Sequence, residues 1–284
     1  MNKVHRFKSV EYISRSNIDQ FQNLPDMNNR RTTFAAVGID DTIFAVGGYT
    51  NYDNGTESRL RSVECLKIFE NEWKYCSYMD ENRSDHAVSV GNISTEKSFF
   101  VFGGTTDTEQ YSNDMLKYNI KKNEWTKMAP MTKRRKNLRA VTMNGVIFIC
   151  GGYTSNGATD FCEKYSINMN VFSNIRSMNI KRSYFGMVGY KDKIFVAGGY
   201  TEAPLSSAEV YDIRTDEWEN IQSMNTRRHG LHLAFIRGRL LAIGGHTGFF
   251  TTQSTEWYNV KTNSWSSGPD IIRRSHFAIA TVLI

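Results

Sequence analysis

Three histidines in this chain stand where they could share one site. His229 directly follows an arginine, His246 directly follows a glycine pair, and His276 lies two residues after another arginine. Neutral imidazole nitrogens are ligands for zinc and copper, and three of them would suffice for a catalytic metal. A second chemistry, recognition of another macromolecule, is suggested by Tyr49, Tyr153, Tyr184, Tyr200 and Arg59 and by the adjacent pair Phe249-Phe250. Aromatic and arginine side chains are frequent anchors in interfaces, and two neighbouring phenylalanines in a loop seldom both find cover. No glycine-rich phosphate loop, Ser/His/Asp arrangement or carboxylate pair stands out. No catalytic residue is therefore assigned, and no cofactor is expected.

Whether these side chains meet depends on the elements that carry them, and those elements repeat. Glycine doublets fall at Gly47-Gly48, Gly103-Gly104, Gly151-Gly152, Gly198-Gly199 and Gly244-Gly245, at intervals of 56, 48, 47 and 46 residues. Each ends an apolar run such as Ile43-Phe44-Ala45-Val46. A fixed period in this range denotes a repeat architecture. A variable polar segment follows each doublet. Next comes a strand carrying an acid and, two residues on, an aromatic, as in Glu163-Lys164-Tyr165 and Glu209-Val210-Tyr211. In the second repeat the acid, Asp114, lies four residues before Tyr118 and breaks the pattern. Seven residues past the aromatic position stands Trp73, Trp125, Phe172, Trp218 or Trp265, after a turn rich in Lys, Asn, Asp and Thr. An arginine then closes each unit: Arg83, Arg135, Arg182, Arg228 or Arg274, with Arg31 opening the first. Each unit thus reads as four short strands. Strand a follows the arginine, b ends in Gly-Gly, c carries the acid and aromatic, and d carries the tryptophan.

Physical roles follow from residue type. Glycines after strand b let neighbouring backbones approach and permit positive φ. Tyrosine and tryptophan supply apolar area with a polar handle. The acid and the arginine are expected to pair, because the guanidinium fork can hold a carboxylate at two points. The bulk numbers agree with one β-rich domain over 1–284: 13% aromatic residues, four prolines, and no linker-like break. No apolar run approaches a membrane span, and the first residues lack a signal-peptide core, so no membrane partner and a cytoplasmic location are expected. Cys65, Cys76, Cys150 and Cys162 form no C-x-x-C and read as buried free thiols. The net charge of +6 invites nucleic acid, but the basic run Lys133-Arg134-Arg135-Lys136 overlies a repeat arginine, so no nucleic-acid partner is expected.

These motifs resemble the kelch repeat, over roughly residues 8–284. The resemblance implies an all-β, kelch-type propeller of four-stranded antiparallel blades. Full blades are expected at about 31–82, 83–134, 135–181, 182–227 and 228–273. An incomplete sixth would be closed by strands from both ends, 8–27 and 274–284, with Phe21 at the tryptophan position. That blade lacks its own doublet, so the chain is expected to be part of a longer protein. The resemblance extends to BTB–kelch substrate adaptors and implies a non-enzymatic interaction module. It would present a degron peptide to a cullin ubiquitin ligase through an upstream region absent here. An actin-binding cytoskeletal role and a metal-dependent propeller enzyme are the alternatives.

Strand order places the b–c loops and the d–a connections on one rim, and loops on a rigid scaffold are where binding residues gather. The resemblance implies ligand contacts just after each doublet and just after each arginine. Those positions include Tyr49, Tyr153, Tyr200 and His246, and Ser84, Asp85, Asn137, Ser183, Tyr184, His229, Ser275 and His276. Arg59, Phe249 and Phe250 are the anchors expected in the loops. Arg59 and Lys136 would make the rim positive and suited to an acidic peptide. The three histidines read as hydrogen-bonding surface there, and no metal is expected. Kelch-like copper oxidases need a cysteine crosslinked to tyrosine, and only Cys150 comes near this rim.

Overall fold

Strand b of every repeat is an unbroken apolar run. A run of that kind, too short for a helix and rich in β-formers, fits a strand covered on both faces. In the computed structural model, which describes residues 10–12, 20–51, 57–93 and 96–272, all five of these runs are buried throughout: Ile43–Val46, Phe99–Phe102, Ile147–Cys150, Ile194–Ala197 and Leu240–Ile243. Each is the second strand of a four-stranded antiparallel sheet whose order is a-b-c-d.

The first sheet comprises Ala35–Ile39, Thr42–Val46, Val63–Lys67 and Lys74–Cys76. The second comprises Ala87–Ile93, Glu96–Phe102, Met115–Asn119 and Glu124–Lys127. The third comprises Arg139–Met143, Val146–Cys150, Cys162–Ser166 and Val171–Asn174. The fourth comprises Gly186–Tyr190, Lys193–Ala197, Ala208–Asp212 and Glu217–Ile221. The fifth comprises His232–Ile236, Arg239–Ile243, Thr255–Asn259 and Ser264–Ser267. Consecutive a strands adjoin around a common axis, and the five sheets are the blades of a β-propeller.

The core lies between blades rather than within them. Phe44, Val46 and Val63 of the first blade pack on Phe99, Leu116 and Tyr118 of the second. Corresponding clusters join the second to the third, the third to the fourth and the fourth to the fifth. The sixth position is occupied by Val10–Tyr12 paired with Gln22–Leu24. Phe21 packs on Ile236, Leu241 and Trp257 of the fifth blade. Val10, Leu24 and Met27 pack with Ile43, Leu66 and Trp73 of the first. Arg274 and the strand expected after it lie outside the described residues.

The expected acid–arginine pair forms inside each unit. Arg31–Glu64 (2.6 Å), Arg182–Glu209 (2.6 Å), Arg228–Glu256 (2.8 Å) and Arg135–Glu163 are buried ion pairs. Each arginine also donates to the carbonyl of the first doublet glycine, Gly47, Gly103, Gly151, Gly198 or Gly244. In four blades it donates as well to a carbonyl at the start of strand c: Ser62, Phe161, Ser207 or Ser254. The glutamates in turn accept backbone N–H bonds from the segment before the arginine, such as Asn28 and Asn29, Asn179 and Ile180, or Asn225 and Thr226. The irregular second repeat uses Asp114 instead, 3.1 Å from Arg83 and 20% exposed.

The tryptophans tie one unit to the one before. The indoles of Trp73, Trp125, Trp218 and Trp265 donate to the carbonyls of Pro25, Ser77, Arg176 and Gln222. Phe172, with no ring N–H, leaves the third blade without this bond. The tyrosine hydroxyls of strand c serve a local purpose. Tyr118, Tyr165, Tyr211 and Tyr258 donate to Asn123, Asn170, Asp216 and Asn263 in the c–d turns. These turn residues have positive φ, which Asn and Asp tolerate best among residues with a side chain.

The cysteines correct the sequence reading. Cys65 and Cys76 are free and half-buried. Cys150 and Cys162 are joined as a disulfide, because the b–c register of the third blade sets them directly opposite each other.

Removing one member of a fully buried ion pair strands the other charge, at a cost of about 3–5 kcal/mol. Arg182→Ala is expected to fall in that range in equilibrium denaturation. Asp114→Asn, whose carboxylate is partly solvated, should cost clearly less than Glu209→Gln. Equal losses at the two sites would show that burial of the pair is not what sets its contribution.

Candidate functional site

The arginine clamp fixes the backbone of the two residues after it, and those residues build the rim. The first pairs in antiparallel fashion with the residue after the doublet: Thr32 with Tyr49, Ser84 with Thr105, Lys136 with Tyr153, Ser183 with Tyr200, His229 with His246. The two sets of rim positions named from sequence are thus partners, blade by blade. The second residue turns toward the axis with positive φ: Thr33, Asp85, Asn137, Tyr184 and Gly230. Backbone bonds link these in a chain around the mouth of the axial channel. Asp85 N donates to Thr33 O (2.9 Å), Asn137 N to Asp85 O (2.7 Å), Tyr184 N to Asn137 O (3.1 Å) and Gly230 N to Tyr184 O (2.6 Å).

The doublets make this close approach possible. Gly48 N donates to Arg83 O of the next unit at 2.8 Å. A Cβ on Gly47 would lie 2.5 Å from that same carbonyl, and φ at the two glycines is +55° and +102°.

One concavity on the rim, of about 590 Å³, lies between the fourth and fifth blades. Tyr184, Tyr200 and Pro204 form one side, and His229, His246 and Phe249 the other. Tyr200 and His229 meet edge to face at 5.2 Å between ring centres, and His229 and His246 lie 5.2 Å apart. Phe249 is 83% exposed and Phe250 55%. The tip that carries them is held by Thr247, whose N–H donates to the Phe250 carbonyl at 3.0 Å. Two charged side chains line the cleft, Glu202 and Arg227. Pro204 and Arg227 were not singled out from sequence. A proline inside a b–c loop and a second arginine beside the clamp were the available signals.

Other rim residues sit differently from expectation. Ser84 and Ser183 are fully buried, their hydroxyls donating to Asp85 and to the Tyr200 carbonyl, so neither side chain is offered to a partner. Asn137 is buried as well. Arg59 is not a free anchor: it lies 3.6 Å from Asp107 and packs over Tyr49. Lys136 lies over the Tyr111 ring at 5.1 Å. The positive rim expected from Arg59 and Lys136 is therefore largely spent within the protein. Tyr49 bonds Glu57 through its hydroxyl, and Tyr153 is half-buried. Ser275 and His276 lie outside the described residues. Among the described residues no group of three His, Cys, Asp or Glu side chains is placed to hold a metal ion.

The KLHDC2/KLHL20/DRC7 kelch-repeats domain matches residues 32–245, and the kelch motif matches residues 227–271. The chain belongs to the kelch-repeat family. Among similar proteins, Kelch-like protein 41a of Danio rerio is 31% identical over 140 residues, 49% of this chain and 22% of that protein. Human Kelch-like protein 23 is 30% identical over 43% of this chain and 20% of its own length. Kelch-like protein 40 of Mus musculus is 27% identical over 55% and 24%. The matched stretch thus spans under a quarter of each relative. The solved structure of YjhT superimposes with a TM-score of 0.74 at 12% identity, over 89% of this chain and 88% of that one, a likeness of fold.

Burial holds His86 and His229 of this kelch propeller neutral. His229 is lowered to about 4, chiefly by burial and then by His246. His86, wedged between the first two blades beside Gly47 and Gly104, is lowered to about 3 by burial and by Arg83. A contact with the Val46 backbone offsets this only in part. A folded-state pKa below the unfolded one means that the unfolded chain binds the extra proton. Stability from His86 is then complete above the ordinary histidine value and is lost as the pH falls toward 3. At pH 5 the loss amounts to about 2 kcal/mol. Thermal unfolding between pH 7 and 5 should therefore show a falling Tm, less steep in His86→Phe. An unchanged slope would mean that His86 is not buried in the neutral form.

Proposed function

We propose that this kelch propeller is a protein-recognition module whose b–c rim seats an exposed segment of a partner protein. The cleft between the fourth and fifth blades would take an apolar or aromatic side chain of that segment. The observation that carries the reading is the cleft itself: a rigid aromatic concavity with an exposed phenylalanine at its lip. Concave, mostly apolar sites with a few fixed polar groups are where ligands bind, and exposed aromatic side chains beside a pocket are typical anchors. Tyr200, His229 and His246 supply polar edges that could hydrogen-bond the partner backbone.

At a finer level, we read the partner as a substrate presented for ubiquitination, the cullin being engaged by a region outside this chain. The resemblance to BTB–kelch adaptors and the similarity to Kelch-like proteins support that reading.

Affinity purification coupled to mass spectrometry tests both levels. The wild-type propeller should capture partners that a Phe249→Ala/Tyr200→Ala variant loses. Phe69→Ala, which removes an exposed ring from a c–d turn on the opposite face, should keep them. An unchanged partner set in the double variant would overturn the rim reading. The full-length protein should recover a cullin in addition, and its failure to do so would overturn the ligase reading alone.

A further inference from the structure

Strands c and d of the first blade each carry a free thiol, and the ladder between them sets the two side by side. Val63 stands opposite Cys76, and Cys65 opposite Lys74. Cys65 and Cys76 are therefore diagonal neighbours on one face of the sheet, close enough for their side chains to meet. Both pack against the apolar cluster between the first and second blades, and both remain partly open to solvent. The equivalent places in the other blades hold Lys117 and Met128, Lys164 and Ile175, Val210 and Ile221, and Trp257 and Gly268. No other blade has a thiol at either place, so the propeller architecture requires neither.

The surroundings divide the two sulfurs by role. When Cys65 loses its proton, the Cys76 thiol donates to the resulting thiolate. That bond lowers Cys65 to about 7, against burial and Glu70 and with help from Lys74 and Lys67. Glu70 also pairs with both lysines, at 2.7 Å from Lys74 and 3.7 Å from Lys67, which tempers their charge. The same contact, together with burial, pushes the Cys76 thiol up; Glu64 adds to this and Tyr118 of the second blade opposes it. The thiolate is the nucleophilic form of cysteine, and a sulfenic acid formed beside a second thiol condenses with it. Cys150 and Cys162 do not compete, being fully buried and already joined.

We infer that Cys65 and Cys76 form an oxidation site, in which Cys65 attacks hydrogen peroxide and Cys76 resolves the product as a disulfide. In the first step the Cys65 thiolate attacks one peroxide oxygen and the O–O bond breaks. Cys65 becomes a sulfenic acid, and the departing hydroxide takes up the proton that Cys65 had lost, giving water. In the second step the Cys76 sulfur attacks the sulfenic sulfur. The S–S bond forms, the S–O bond breaks, and hydroxide leaves with the Cys76 proton as a second water. Two thiols lose two electrons, and one peroxide is reduced to two waters. A diagonal pair is wider than a disulfide prefers, but Cys76 is the last residue of strand d. The bridge closes by a shift of that strand end while the rest of the ladder stays paired. The inference does not depend on the rim having a protein partner.

The test is peptide mapping by mass spectrometry of the whole chain, treated with hydrogen peroxide and alkylated without reductant. Wild type should yield the Cys65 and Cys76 peptides joined, and dithiothreitol should separate them. Cys76→Ala should instead leave Cys65 as a sulfenic acid that dimedone captures. Cys65→Ala should leave Cys76 unoxidised at the same dose. Before oxidation, iodoacetamide should label Cys65 faster than Cys76. The labelling of Cys65 should have its midpoint near pH 7, moving up toward the ordinary thiol value in Cys76→Ala. No joined peptides in wild type, or faster labelling of Cys76 than of Cys65, would overturn the inference. Wild type alone supplies both of these readings, so neither depends on a variant that folds.

Discussion

The buried arginine–carboxylate clamp is the interaction on which the rest of this propeller depends. In four of the five blades the guanidinium gathers the end of strand b, the start of strand c and a glutamate of strand c, while that glutamate accepts from the backbone leading into the arginine, as Arg182 and Glu209 show. Three pieces of chain far apart in sequence are fixed by one side chain. The arrangement is costly: the Nε of all five arginines is buried without a partner, and two charges leave water in each blade. A hydrophobic pair of similar volume could stabilise a blade as well, but it could not specify where the carbonyls of a glycine doublet must point. The clamp contributes position more than net stability.

Position is what the rim requires. Once the arginine is set, the next residue can only pair with the one after the doublet, and the following residue turns inward at positive φ to bond its neighbour in the next blade. The rim is a continuous backbone structure before any side chain is chosen. Side chains there vary freely, and the loops between doublet and strand c vary in length without disturbing the ring beneath. Chemistry can then differ between blades on one scaffold. Threonine, aspartate, asparagine, tyrosine and glycine occupy the same inner position in turn.

Much of this was legible in the sequence, for a physical reason. The doublets, the buried arginines and the strand-c acids answer to constraints that repeat, so their spacing exposes them. The shifted acid of the second repeat was visible as a departure, and Asp114 indeed makes a longer, more solvated pair with Arg83. Burial of individual rim side chains was not legible. Ser84 and Ser183 look like surface residues by type, yet each lies beneath the ladder it helps form. The Cys150–Cys162 pairing was hidden for a similar reason. It depends on the b–c register across a loop of variable length, and no periodic signal encodes that length.

Net charge says little about the field at the rim. A surplus of +6 would suit an acidic ligand only if the basic groups faced the site. Arg59 is drawn to Asp107, Lys136 covers Tyr111, and Arg134 pairs with Glu109. At the cleft, Glu202 offsets Arg227, and burial keeps His229 neutral. The cleft thus offers shape and hydrogen-bonding edges rather than a long-range field. For the partner proposed above, selection would then rest mainly on the rate of departure, since electrostatic steering is what chiefly accelerates arrival.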